Sequence, residues 1–175
     1  SDAAAAESTT KTIPDWGCTL LRSLHGQWLA GELCDGVLRP ADAAGGHSDR
    51  SRDVRVHRAV VAAAFPGMAK KFGSTGAAMS SSSSSEGEAL PVLLSAFDHR
   101  TTRALAEFAY TGRLQLAPAT VAAQMRAADF YLSEEATDAA LEYLEEQLAP
   151  DSCLDIREVA APCSRGANTE AKALQ

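Results

Sequence analysis

The chain of 175 residues contains little that would direct it to a membrane, a nucleic acid or an oxidising compartment. No apolar run approaches the roughly 18 residues that a membrane-spanning helix needs. Lys and Arg number 16 against 23 Asp and Glu, without a basic block, which argues against nucleic acid or an anionic membrane as the main ligand. Residues 1–7 lack the basic start and apolar stretch of a secretory signal. These absences predict a soluble protein of the cytoplasm or nucleus.

Cysteines are few and scattered along the chain. Cys18, Cys34, Cys153 and Cys163 include no C-x-x-C pair that would hold zinc or exchange disulfides. Because a chain of this length with abundant Leu, Val and Ala builds a core without covalent crosslinks, we expect reduced structural thiols.

Motifs of catalysis and cofactor binding are also missing. The sequence has no G-x-S-x-G elbow, no phosphate-binding loop, no G-x-G-x-x-G and no H-E-x-x-H. Its four histidines are isolated in the sequence, and His57 is expected to be a hydrogen-bonded structural residue rather than a base. Tyr110 is expected to pack against a helix end rather than serve an active site. We therefore predict no enzyme activity, no cofactor and no metal site.

Four segments have the composition of irregular chain. Residues 1–14 are rich in Ala, Ser and Thr and are predicted to be a disordered lead-in, while residues 162–175 form a polar tail. Residues 40–52 are a polar loop rich in Gly and Pro, and residues 73–89 carry six consecutive serines. A serine tract cannot bury enough apolar surface to offset the entropy lost on ordering. Both internal loops are therefore predicted to be disordered.

The remaining segments show the apolar periodicities of an α+β domain dominated by helix. Strands are predicted at 37–39, 53–57 and 90–94, and Pro91 restricts the last of them to a sheet edge. Asp98 is a predicted helix N-cap and Gly112 the matching C-terminal glycine. About six or seven helices are expected, at 20–28, 58–64, 66–72, 99–111, 118–132, 133–148 and, as a short final helix, 151–160.

Four sequence motifs, taken in order, resemble the signatures of the BTB/POZ domain. They are GELCD at 31–35, VHRAVVAA at 56–63, FAYTGRL at 108–114 and AADFYL at 127–132. The sequence LAPDSCLDIR at 148–157 further resembles the junction at which kelch-like proteins pass from the BTB domain into the BACK domain, a region called the 3-box. The resemblance implies a BTB/POZ domain at 18–148, with a small sheet, and the start of a BACK or 3-box helix at 149–161.

The resemblance also implies a homodimer whose first helix crosses to the partner. Here that helix carries an apolar stripe, and an amphipathic helix with an indole on its apolar face suits a dimer contact. From the residues alone, the favoured reading is that Leu24 and Trp28 cover the core of their own chain. In the family, residues matching Asp35 and Arg58 line a charged pocket near the dimer seam. The implied interface comprises Leu20, Leu21, Leu24, Trp28, Asp35 and Arg58.

Kelch-like proteins scaffold Cullin-3 ubiquitin ligases, so the resemblance implies that this chain is a non-enzymatic Cullin-3 adaptor. The loop that contacts the cullin normally carries a hydrophobic-x-Glu motif, which residues 73–89 lack. We therefore expect weakened Cullin-3 binding. The implied cullin contacts are Phe72 ahead of that loop, the turn Tyr131, Leu132, Ser133 and Glu134, and Cys153 and Ile156 of the 3-box helix.

A BTB dimerisation scaffold in transcriptional control is the alternative function. In such proteins a groove at the dimer seam recruits corepressor peptides, and zinc fingers follow the BTB domain. Neither kelch repeats nor zinc fingers occur within these residues, so the chain is predicted to be a fragment or a short protein without its own substrate-binding repeats.

Overall fold

A computed structural model describes residues 13–43, 45–47, 49–79 and 90–147 of the chain. These residues contain six α-helices and three short strands. These elements confirm a helix-dominated α+β fold. In chain order they are α1 (Trp16–Ala30), β1 (Gly36–Arg39), β2 (Val54–Val56), α2 (Arg58–Ala64), α3 (Pro66–Met79), β3 (Val92–Leu94), α4 (His99–Thr111), α5 (Val121–Phe130) and α6 (Glu134–Glu146).

The three strands form one sheet with the order β2-β1-β3. Strand β1 pairs antiparallel with β2 and parallel with β3, with Leu38 of β1 opposite Leu93 of β3. As Pro91 predicts, β3 lies at the edge, and the Pro91 carbonyl accepts a hydrogen bond from the Val37 amide at 2.9 Å. Leu38, Leu93 and Val56 are buried in the main hydrophobic core.

Local capping signals position α4 as the sequence predicts. The Asp98 carboxylate accepts a hydrogen bond from the Thr101 amide at 2.8 Å, and Gly112 ends the helix with a φ of 65°. Val121, Met125 and Ala128, which recur at helical spacing in the sequence, form a buried stripe on α5. Leu132 does not belong to that stripe, because α5 ends two residues earlier, at Phe130.

Side-chain hydrogen bonds connect the polar loop at 40–52 and its flanking residues to the sheet. Arg39 and Asp53, which flank the loop, form a paired hydrogen bond with Nε···Oδ1 at 2.8 Å and Nη2···Oδ2 at 2.7 Å. Within the loop, His47 Nε2 lies 2.8 Å from the Ser95 carbonyl oxygen, beyond the end of β3. Side-chain hydrogen bonds to the sheet thus hold the described residues of a loop that has little apolar surface to bury.

Helix α3 runs seven residues further than predicted, to Met79 instead of Phe72. Once a helix is nucleated, each added residue gains one backbone hydrogen bond, so residues with weak helix propensity can extend it. The predictions for residues 1–12, 80–89 and 148–175, including the lead-in, the serine tract and the 3-box helix, lie outside the described residues.

None of the described helices combines the length with the apolar character that crossing a membrane requires. Within the same ranges, no cluster of three His, Cys, Asp or Glu side chains could hold a metal ion. Cys18 and Cys34 are free thiols.

Candidate interaction surfaces

The apolar stripe of α1 is divided between the core and the surface of this chain. Trp28 is only 6% exposed, and Leu24 packs against the main core. By contrast, Leu20 and Leu21 are 47% and 40% exposed, and the neighbouring Trp16 is exposed as well. The C-terminal half of α1 packs on α4, so the N-terminal half presents apolar side chains with no cover in the described chain.

Trp28 packs in the core of its own chain, although the resemblance places it in the dimer interface. Its indole Nε1 donates a hydrogen bond to the Arg55 carbonyl at 2.7 Å. Its ring stacks on Tyr110 of α4 with centroids 5.0 Å apart, and the Arg103 guanidinium lies 5.4 Å from the indole centroid. The packing of α1 on α4 thus decides between the two readings of Trp28 that the residues left open.

His57 and Tyr110 are structural residues, as the sequence predicts. The Tyr110 hydroxyl accepts a hydrogen bond from the His57 amide at 2.9 Å and lies 2.9 Å from Nδ1 of the same residue. His57 Nε2 is 3.0 Å from the Glu32 carbonyl oxygen, so both ring nitrogens have partners. Burial raises the pKa of Tyr110 to about 12, which keeps the phenol neutral in the folded chain.

Asp35 and Arg58 meet at the start of α2, on the surface of the chain. One Asp35 oxygen accepts a hydrogen bond from the Arg58 amide at 2.7 Å, and the other lies 3.3 Å from Arg58 Nε. The carboxylate therefore caps the N-terminus of α2. Gly36 permits this approach, because a Cβ at that position would lie 2.5 Å from Arg58 Cγ.

The cullin contacts predicted near the turn between α5 and α6 include both buried and exposed side chains. Tyr131 is 1% exposed, and its hydroxyl donates a hydrogen bond to Ser95 Oγ at 3.1 Å. Ser133 and Phe72 are also buried, so these three side chains lie in the interior of this chain, although the resemblance implies them as cullin contacts. Leu132 is 51% exposed, and Glu134 is exposed too.

The backbone of the turn between α5 and α6 packs closely against the start of α3. The Gly67 amide in the first turn of α3 donates a hydrogen bond to the Tyr131 carbonyl at 2.8 Å. A Cβ on Gly67 would lie 2.8 Å from the Tyr131 Cα, so only glycine allows the two segments to meet. Leu132 follows with a φ of 62°, a left-handed conformation that is unfavourable for leucine.

Phe130 is an exposed residue of this region that the sequence reasoning missed. Its ring is about half exposed, and the Lys71 Nζ lies 4.4 Å from its centroid. A sequence signal was available, since Phe130 is an apolar residue that lies off the buried stripe of α5. Cys153 and Ile156, the remaining predicted cullin contacts, lie outside the described residues.

Comparison with known proteins gives matches to one family of domains. The family model described as BTB/POZ domain matches residues 24–148. The BTB domain of zebrafish PATZ1 is 20% identical and has a TM-score of 0.60, covering 79% of this chain and 99% of its own. The BTB domain of human gigaxonin is 17% identical with a TM-score of 0.59, at the same coverage of both chains. No curated protein matches the sequence.

Proposed function

Because the chain belongs to the BTB/POZ domain family, whose members are protein–protein interaction modules, we propose that it homodimerises and acts as a Cullin-3 ubiquitin-ligase adaptor. The proposal assigns it no chemistry of its own. The observation that carries the homodimer is the exposed apolar face on the N-terminal half of α1. The cullin contact is assigned to exposed side chains at the turn between α5 and α6.

The α1 face consists of Trp16, Leu20 and Leu21. Trp16 and Leu20 lie one helical turn apart, and Leu21 is adjacent, so the three form one continuous patch. In a two-fold homodimer, the patch on one chain contacts the same patch on the other chain. A short helix face of this kind suits such a contact. Aromatic residues are enriched at the buried centres of such interfaces, and Trp16 supplies one.

The turn surface consists of Phe130 and Leu132, with Lys71 beside the Phe130 ring. Two exposed apolar side chains flanking a buried tyrosine offer a partner shape and apolar area at a rigid point of the fold. We retain Glu134, Cys153 and Ile156 as proposed cullin contacts, while Phe130 replaces the buried Phe72, Tyr131 and Ser133.

Calorimetry of the full chain against the N-terminal domain of Cullin-3 tests the adaptor role. A hot-spot residue commonly contributes about 2 kcal/mol, so the missing loop glutamate should weaken binding about thirtyfold relative to adaptors that have it. We expect detectable binding in the micromolar range. Nanomolar binding would show that the loop is no handicap. No binding at high micromolar concentration would overturn the adaptor role and leave the corepressor-recruiting scaffold.

A further inference from the structure

Three arginines line a cleft that neither the α1 face nor the turn surface uses. The cleft has a volume of about 380 Å³ and lies between α4, the segment 113–117 and the start of α5. Arg100 and Arg103 lie three residues apart on one face of α4, and Arg113 follows the end of that helix. All three side chains are exposed. Glu107 is the one carboxylate of the lining, so the cleft carries a net positive charge.

None of the three cleft arginines forms an ion pair with another described residue. The ion pairs of the described residues join Arg39 with Asp53, Arg52 with Asp49, and Arg58 with Asp35. They involve none of the three cleft arginines. Arg103 already lies against the Trp28 indole, so the guanidinium groups of Arg100 and Arg113 are the ones available to an anion from outside the chain.

Gln124, in the lining of the cleft, supplies a second and independent feature. It is only 3% exposed, and its Nε2 donates a hydrogen bond to the Gln115 carbonyl at 3.2 Å. Its Oε1 is buried without a hydrogen-bond partner in the described part of the chain. The Gln115 carbonyl fixes the orientation of the amide, since the flipped amide would place two oxygens together. A buried acceptor of this kind is unfavourable until a donor reaches it.

The start of α5 adds to the positive potential. Thr120, its N-cap, lines the cleft and makes no side-chain hydrogen bond to the helix; its hydroxyl donates to the Ala117 carbonyl at 3.3 Å. The Val121 amide donates to the Ala117 carbonyl at 2.9 Å, while the other first-turn amides of this ten-residue helix lack a side-chain acceptor and favour negative charge.

We propose that this cleft binds short acidic peptide segments, with carboxylates on Arg100 and Arg113 and a peptide N–H donating to Gln124 Oε1. An acidic peptide provides the anion and the neighbouring donor together. Extended nucleic acid is disfavoured, because the positive surface is confined to one cleft of a chain with net charge −7. The inference does not depend on Cullin-3 binding.

Titration of the nitrogen-15-labelled full chain with the blocked peptide acetyl-Gly-Glu-Glu-Gly-amide tests the proposal. We expect saturable shifts of amide signals within 113–124. A charge-assisted hydrogen bond accounts for about tenfold in affinity, so R113Q and R100Q should each weaken binding about tenfold. The matched control R126Q removes an exposed arginine from α5 outside the cleft and should change affinity less than about twofold.

Two comparisons make the result decisive. The neutral peptide acetyl-Gly-Gln-Gln-Gly-amide should not bind, and inorganic phosphate should bind more weakly than the acidic peptide. Equal binding of the neutral peptide, an R126Q effect as large as that of R113Q, or phosphate binding as tight as the peptide would each overturn the proposal.

The variant Q124M should weaken binding of the acidic peptide while leaving the response to phosphate unchanged. An unchanged affinity for the peptide would remove Gln124 from the site and overturn the peptide class.

Discussion

The indole of Trp28 donates a 2.7 Å hydrogen bond to the carbonyl of Arg55, 27 residues further along the chain. Arg55 lies on β2, an end strand of the sheet, so the bond satisfies a backbone acceptor at an otherwise open edge. Helix α1 therefore has two roles along its length. Its C-terminal half closes the domain, and its N-terminal half carries the α1 face.

Charges on the α1 face should separate the proposed dimer. The double variant Leu20→Asp, Leu21→Asp places two carboxylates in the apolar contact, so we expect a folded monomer by sedimentation. Leu29→Asp is the matched control, because Leu29 is an exposed leucine of the same helix outside that face. Circular dichroism establishes that both variants fold. A dimer that persists in the double variant, or that Leu29→Asp disrupts equally, would contradict the interface.

Trp28→Phe should lower stability without changing the oligomeric state. The substitution keeps an aromatic ring against Tyr110 but leaves the Arg55 carbonyl without its donor. Loss of this part-buried hydrogen bond costs about 0.5–1.5 kcal/mol. Urea unfolding at fixed protein concentration measures the change. If Trp28 belonged mainly to the dimer contact, the variant would instead shift the monomer–dimer equilibrium towards monomer. The free energy of unfolding of the monomer would then be unchanged.

Leu132→Gly should separate partner binding from folding. Glycine relieves about 1–2 kcal/mol of left-handed strain but costs about 0.5–1 kcal/mol of unfolded-chain entropy, so stability should be unchanged or rise by up to about 1.5 kcal/mol. Cullin-3 affinity should nevertheless fall, because the turn surface loses an exposed side chain. Tyr131→Ala is the contrasting variant and should lose about 3–5 kcal/mol of stability, since it empties a core position. Unchanged calorimetric affinity for Leu132→Gly would exclude the turn surface.

Alkaline pH should remove part of the stability that Tyr110 provides. The pKa of its phenol is raised from 10.0 to about 12 by burial, so the unfolded chain ionises this group at a lower pH than the folded chain does. The contribution is fully present below about pH 10 and is lost as the pH rises towards about 12. Wild type should therefore unfold more easily in urea at about pH 11 than at about pH 8.

Tyr110→Phe provides the reference for that measurement. At neutral pH it should be less stable than wild type by about 1–3 kcal/mol, because the His57 amide and ring lose their partner. Phenylalanine does not ionise, so the stability gap between the two proteins should narrow as the pH rises. A gap that is constant across this range would show that Tyr110 ionises equally in both states.

Much of the fold follows from local sequence signals. The Asp98 cap, the Gly112 terminator and Pro91 mark element ends within a few residues, because caps and proline act on neighbouring backbone groups. The BTB signatures add the order of these elements and hence the fold. The end of α3 was missed because low helix propensity does not stop a helix that is already formed.

The identity of the surface residues was decided by tertiary structure alone. Leu20 and Trp28 have the same character in the sequence, yet the packing of α1 on α4 buries only Trp28. Leu132 and Tyr131 are adjacent, yet only Tyr131 is buried, where its backbone packs against Gly67. The arginine cleft likewise exists only because the segment after α4 folds back and brings Gln124 into the lining. Burial of a side chain depends on which distant segment of the chain packs against it. The apolar periodicity of a helix contains no information about which segment that is.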